Sequence, residues 1–190
     1  MVAEHDLDIH FCFDGGIDRL GDVDSIALGI FEDERPLKGT AGLVDWRLHG
    51  RLSRLLLSSF VTGQFMESCL TPAGDHLPMD KVILFGQGSL EALDARRFTQ
   101  VAEEILSTLG RIGSTHFAWS IWDLTRGRLA PEEAAGILYR QFLAENEGRQ
   151  DHPLKSVTCI EHGPWGRAIQ DAFRQLSARH TELPLRLRVR

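Results

Sequence analysis

The sequence predicts a three-layer α/β/α domain with a mixed central sheet between helices. Three observations lead there. Short runs with strand periodicity recur along the whole chain, amphipathic helical stripes fall between them, and in the second half the two kinds of segment alternate regularly. At 190 residues the chain can bury a large core. It shows no internal repeat, low-complexity stretch or linker, so residues 1–190 are read as a single domain.

Leu7, Ile9, Phe11 and Phe13 alternate with Asp6, Asp8, His10 and Cys12, the period of a half-buried strand, and Asp14-Gly15-Gly16 ends it with a turn signal. Ile26, Leu28 and Ile30 predict a second strand closing at Glu32-Asp33-Glu34, and the two are expected to pair antiparallel through the loop between them. Val44, Leu48, Leu52 and Leu55 form one helical stripe. A short strand near Glu67–Leu70 leads to Lys81–Phe85, a continuous apolar run that fits a central strand covered on both faces. Gly86-Gln87-Gly88-Ser89 ends that run.

Phe98, Val101, Ile105, Leu109 and Ile112 mark a helix with Asp94 as N-cap. Phe117–Trp122 reads as the next strand, on which Trp119 and Trp122 must face opposite sides. Pro131, followed by Glu132 and Glu133, suits the first turn of a helix whose apolar face is Ile137, Leu138 and Phe142. Ser156–Ile160 is a strand, with Glu161 and His162 read as a loop pair. Pro164 opens a helix with Trp165, Ile169, Phe173 and Leu176 in phase. The tail alternates Leu185, Leu187 and Val189 with Arg186, Arg188 and Arg190.

Hydrophobic content of 43% with 25% charged residues is that of a globular domain. A net charge of -6 argues against a protein that coats nucleic acid. Cys12, Cys69 and Cys159 are odd in number, far apart and without zinc spacing, as expected of reduced thiols. The first residues lack the basic start and apolar run of a signal peptide, and no segment approaches the roughly 18 consecutive apolar residues that would span a bilayer. A cytoplasmic protein without membrane contact is expected.

The segment Phe31–Leu57, with Glu32-Asp33-Glu34-Arg35-Pro36-Leu37 and Asp45-Trp46, followed by Gly63-Gln64-Phe65 and Leu84-Phe85-Gly86-Gln87-Gly88, resembles the N-terminal domain of the M17 leucyl aminopeptidases. The likeness is densest from Ile26 to Gly88; after Leu90 element order and size carry it. The resemblance implies a macro-domain-like fold. In that family the chemistry belongs to a separate C-terminal domain with two metal ions, a Lys, acidic ligands and an Asn-Thr-Asp-Ala-Glu-Gly-Arg segment. This sequence contains no such segment. Two-metal hydrolysis needs convergent carboxylates, whereas Glu32-Asp33-Glu34 sits on a turn that splays its side chains and reads as solvated. No catalytic residue, metal ligand or cofactor is therefore assigned.

Two surfaces remain as candidates. Gly86, Gly88 and Ser89, with Gly15 and Gly16 as a second loop, follow strands where α/β sheets bind ligands, and their amides suit a phosphate; macro domains bind ADP-ribose with Gly-rich loops. The turn lacks the Lys of a phosphate-binding loop, and an ordinary structural turn explains the same glycines. Arg47, Arg51 and Arg54 recur at helical spacing and, with Arg186 and Arg188, suggest a basic patch for a protein partner. A solvated helix face neutralised by nearby acids explains them too. The leading expectation is a noncatalytic domain acting through protein contacts, with a partner chain or as a homo-oligomer. A nucleotide or ADP-ribose binder is the alternative, and a divergent hydrolase a third reading.

Overall fold

The computed structural model describes residues 5–13, 16–148, 153–179 and 185–189. Its strands are β1 (His5–Phe13), β2 (Ser25–Ile30), β3 (Ser68–Pro72), β4 (Lys81–Gly86), β5 (His116–Trp119), β6 (Ser156–Glu161) and β7 (Leu185–Val189). The helices are α1 (Gly39–Arg47), α2 (Arg51–Leu57), α3 (Ala95–Arg111), α4 (Ile121–Thr125), α5 (Pro131–Gly148) and α6 (Gly163–Arg179), and a one-turn helix, Ile17–Arg19, follows β1. One seven-stranded sheet runs in the order β3-β4-β2-β5-β6-β1-β7. Only β3 is antiparallel to its neighbour, so the sheet is mixed, as the sequence predicts.

The two faces carry separate cores. On one, α3, α5 and α6 place Phe98, Ile105, Leu138, Phe142, Ile169 and Phe173 against Leu7, Ile9, Phe117, Trp119 and Val157. On the other, Ala41 and Val44 of α1, Leu48 just after it and Leu52 of α2 cover Ile26, Leu28, Ile30, Val82 and Leu84. This explains the continuous apolar run at 81–85: Val82 and Leu84 enter one core, Ile83 and Phe85 the other.

Three expectations need correction. β1 and β2 do not pair antiparallel; β5 and β6 lie between them and all four are parallel. The reason is in their burial. β2 is buried at every position and belongs at the centre, whereas Leu7 and Ile9 of β1 are buried and the alternating Asp8, His10 and Cys12 line a groove of about 630 Å³ where α1 and α2 do not reach. The single helix predicted from Val44 to Leu55 is two helices, broken where His49 (φ 53°) and Gly50 (φ 75°) enter the left-handed region. Trp122 is not on a strand: β5 stops at Trp119, and the Ser120 hydroxyl accepts from the Asp123 amide at 3.1 Å to start α4. The Asp94 cap of α3 is observed, accepting from the Arg97 amide at 2.8 Å.

β2 and β5 are tied at their amino ends by Asp24. Its carboxylate accepts from the Ser114 hydroxyl at 2.6 Å and from the amides of Thr115 and His116 at 2.9 and 3.0 Å. Partial burial alone would raise its pKa, but these bonds outweigh burial and hold it below the ordinary carboxylate value. Asp24→Ala is expected to cost about 2 kcal/mol, since it strands the two amides and a hydroxyl, read from the shift in urea midpoint at constant slope.

Candidate functional site

The carboxyl ends of β2, β5 and β6 form one rim, the place where parallel α/β sheets present loops to ligands. β2 feeds the acidic turn before α1, β5 feeds α4 and β6 feeds α6. A pocket of about 640 Å³ opens there, walled by Trp122 and Trp165 with Glu34, Asp123, Arg126 and His162 around it. The two indole rings meet edge to face with centroids 5.5 Å apart, and the Trp165 ring N–H donates to the Leu129 carbonyl at 3.3 Å.

Beneath the pocket lies Glu161, the last residue of β6, with no exposed surface. Its carboxyl accepts the Ile121 amide at 2.6 Å and the Trp122 amide at 3.3 Å. Burial pushes its pKa up to about 8; the two amide bonds pull the other way, and the charge of Asp123 adds to the rise. Asp123 in turn accepts the Thr40 amide at the start of α1 at 2.6 Å and pairs with Arg126. Arg126 reaches back to Glu34 at 2.5 Å, and Lys38 approaches the same carboxylate at 3.5 Å. Gly39 (φ 57°) leaves room for Asp123: a Cβ there would lie 2.0 Å from the carboxylate oxygen.

The acidic turn does splay its side chains, but two of its three members are employed. Asp33 accepts from the Ser89 hydroxyl at 2.8 Å and the Leu90 amide at 3.1 Å, bonds that hold its pKa below the ordinary value, and Glu34 binds Arg126. Glu32 is exposed.

The glycine-rich turn is packed against its neighbours. The amides of Gly86, Gln87 and Gly88 donate to the carbonyls of Glu67, Ile30 and Gly63 at 2.7, 2.9 and 2.9 Å, and the Ser89 hydroxyl is taken by Asp33. A Cβ at Gly86 would lie 1.9 Å from the Gln64 carbonyl oxygen. Gly16 stands in open space after β1, three strands beyond β2 and four spacings from β4, roughly 19 Å across the sheet. Gly15 lies outside the described residues.

The arginines are engaged one by one. Arg47 pairs with Asp18 and stacks over the Trp46 ring at 4.4 Å; Arg51 donates to the Pro72 carbonyl and Arg54 to that of His49, each at 2.7 Å. Arg186 and Arg188 lie on β7, at the opposite sheet edge from β3 and Pro72; their side chains lie outside the described residues. The structure therefore does not join the two arginine groups into one patch.

Sequence reasoning missed Glu161, Asp123, Arg126 and the Trp122–Trp165 pair. Glu161 reads as half of a loop pair with His162, yet it is the buried end of a strand. The one local signal was Ser120 three residues before Asp123, a helix start.

The model of the N-terminal domain of the cytosol aminopeptidase family matches residues 27–144. The chain belongs to this family. The match runs beyond Leu90, where element order and size alone carry the sequence resemblance. Probable cytosol aminopeptidases of Rhodococcus opacus and Rhodococcus jostii are 27% and 30% identical over 167 residues, covering 86% of this chain and 33% of theirs. The chain thus spans about a third of the length of these cytosol aminopeptidases. Among solved structures, a tomato leucine aminopeptidase variant superposes with a TM-score of 0.60 at 18% identity, covering 86% of this chain and 35% of that one. A Trypanosoma brucei macrodomain in complex with ADP-ribose superposes at 0.65 and 16% identity, covering 88% and 68%. The fold is that of the aminopeptidase N-terminal domain and of macrodomains.

Two outcomes follow for this site. Glu161 holds its proton in the folded chain between the unfolded value of about 4.5 and the folded value of about 8. Its contribution is therefore complete below about pH 4.5 and lost as pH rises toward 8, at up to about 1.4 kcal/mol per pH unit. Urea titrations at pH 5 to 8 should show this slope in the parent chain and its loss in Glu161→Gln. Gly86→Ala should cost about 3 kcal/mol or more, because the added carbon meets the backbone oxygen of Gln64, seen as a lowered thermal midpoint.

Proposed function

We propose that this chain is a noncatalytic binding domain of the cytosol aminopeptidase family that works through protein contacts in the cytosol. The observation that carries the reading is the exposure of large apolar side chains on α1 and around the end of α2. Trp46 is 69% exposed, Phe60 71% and Leu57 85%, and Leu43 lies one turn before Trp46 on α1. Trp and Arg are the side chains that most often anchor protein interfaces, and here Arg47 is already stacked on Trp46 and fixed by Asp18. The arginine face expected to meet a partner becomes, on this reading, the polar frame of an apolar contact. β7, a parallel strand at a sheet edge, offers a second route for pairing with another chain.

The noncatalytic part is supported by the employment of the acidic groups. Glu34, Asp33, Asp123 and Glu161 each bind an amide, a hydroxyl or Arg126 within the fold. The nucleotide reading draws on the macrodomain likeness and on the position of the pocket. It is the weaker of the two, because the turn amides at Gly86 and Gly88 already donate to backbone carbonyls.

Trp46→Glu combined with Phe60→Glu should abolish association with a protein partner, or self-association in sizing experiments at rising concentration. Both side chains are mostly exposed, so the thermal midpoint should hardly move. Association unchanged by the double substitution would remove this surface from consideration.

A further inference from the structure

We infer that Glu161, Asp123 and Asp33 are specificity-determining groups that close the donors at the starts of α1 and α4 and at Ser89–Leu90 to phosphate-bearing ligands. A phosphate on such a rim is held by free backbone N–H groups at turns and helix starts. Three sets of donors on this rim are filled from within. The Ile121 and Trp122 amides are taken by Glu161, the Thr40 amide by Asp123, and the Leu90 amide with the Ser89 hydroxyl by Asp33.

Displacing these groups would be costly in different ways. Glu161 has no exposed surface, so an incoming phosphate would have to strand its carboxyl oxygens in the interior. Asp123 is held at the same time by Thr40 and Arg126, and Arg126 by Glu34, so its release would undo the link between α4 and the turn after β2. The Arg126 guanidinium, a cation beside these donors, is already neutralised by two carboxylates. What stays open at the pocket mouth is the edge-to-face pair of Trp122 and Trp165, a surface suited to an uncharged group. The inference rests on this geometry and is independent of the protein-contact reading; the two are tested by different readouts.

The test is an amide-resolved NMR titration of the full chain with inorganic phosphate, ADP and ADP-ribose up to millimolar concentration. The expected result is that the Thr40, Leu90, Ile121 and Trp122 amide signals stay in place with all three. A saturable shift of any of them overturns the inference. Occupancy is checked separately with Asp33→Ala, an exposed site where folding should be retained. Hydrogen exchange at the Leu90 amide should speed up by tenfold or more. An unchanged exchange rate would show that Asp33 does not hold that donor and would overturn its part.

Discussion

Glu161 sits at the end of a central strand with no access to water, and a carboxyl in that position is tolerated only where donors converge on it. The start of α4 provides them. Because β5 and β6 are neighbours and α4 begins two residues after β5, the Ile121 and Trp122 amides face the end of β6. Those two bonds set the position of α4, and the rest of the rim follows from them. Asp123 on α4 reaches the start of α1, Arg126 at its end reaches Glu34, and the turn after β2 is thereby pinned to the strand two places away. Each link satisfies a helix-start amide or joins opposite charges.

A second constraint is the inequality of the two sheet faces. Three long helices cover one face from β4 to β1, but α1 and α2 are short and cover only the region around β2 and β4. Parallel sheets are ordinarily shielded on both sides. Here the half formed by β6 and β1 turns Asp8, His10, Cys12, Ser156 and Thr158 toward a polar groove instead. The sequence composition at these strands is the consequence: continuous apolar runs where both faces are covered, strict alternation where one is.

That distinction was legible in the sequence, and with it the class of fold, because burial periodicity is a local property. The order of strands was not. Alternation in β1 and apolar content in β2 identify two strands, yet only the contrast between them shows that one is central and the other is not, and the expected hairpin overlooked it. The helix break at His49–Gly50 escaped notice because the apolar stripe continues across it from Val44 to Leu52. The candidate site was less legible still. Gly86 and Gly88 look like ligand glycines by sequence, but Gly86 also allows close approach to the Gln64 backbone, and Gly88 takes a positive φ of 72° beside Phe65. Glu161 carries no local mark of its burial, since its partners lie 39 and 40 residues away.

The likeness to the wider group is one of fold. At 16% identity the sheet order and helix placement suffice for a TM-score of 0.65 against a macrodomain, since core burial tolerates any apolar set of suitable volume. Loop chemistry has no such tolerance: one carboxyl oxygen placed on two amides changes what a rim can hold. Besides the rim, large apolar side chains stand exposed on α1 and around the end of α2. Trp46 and Phe60 expose indole and phenyl surface on the side of α1 and α2, and Trp46 is held in place by a guanidinium that is itself anchored. A side chain ordered before contact loses less conformational freedom on binding. On this helix face the surface is both exposed and already arranged.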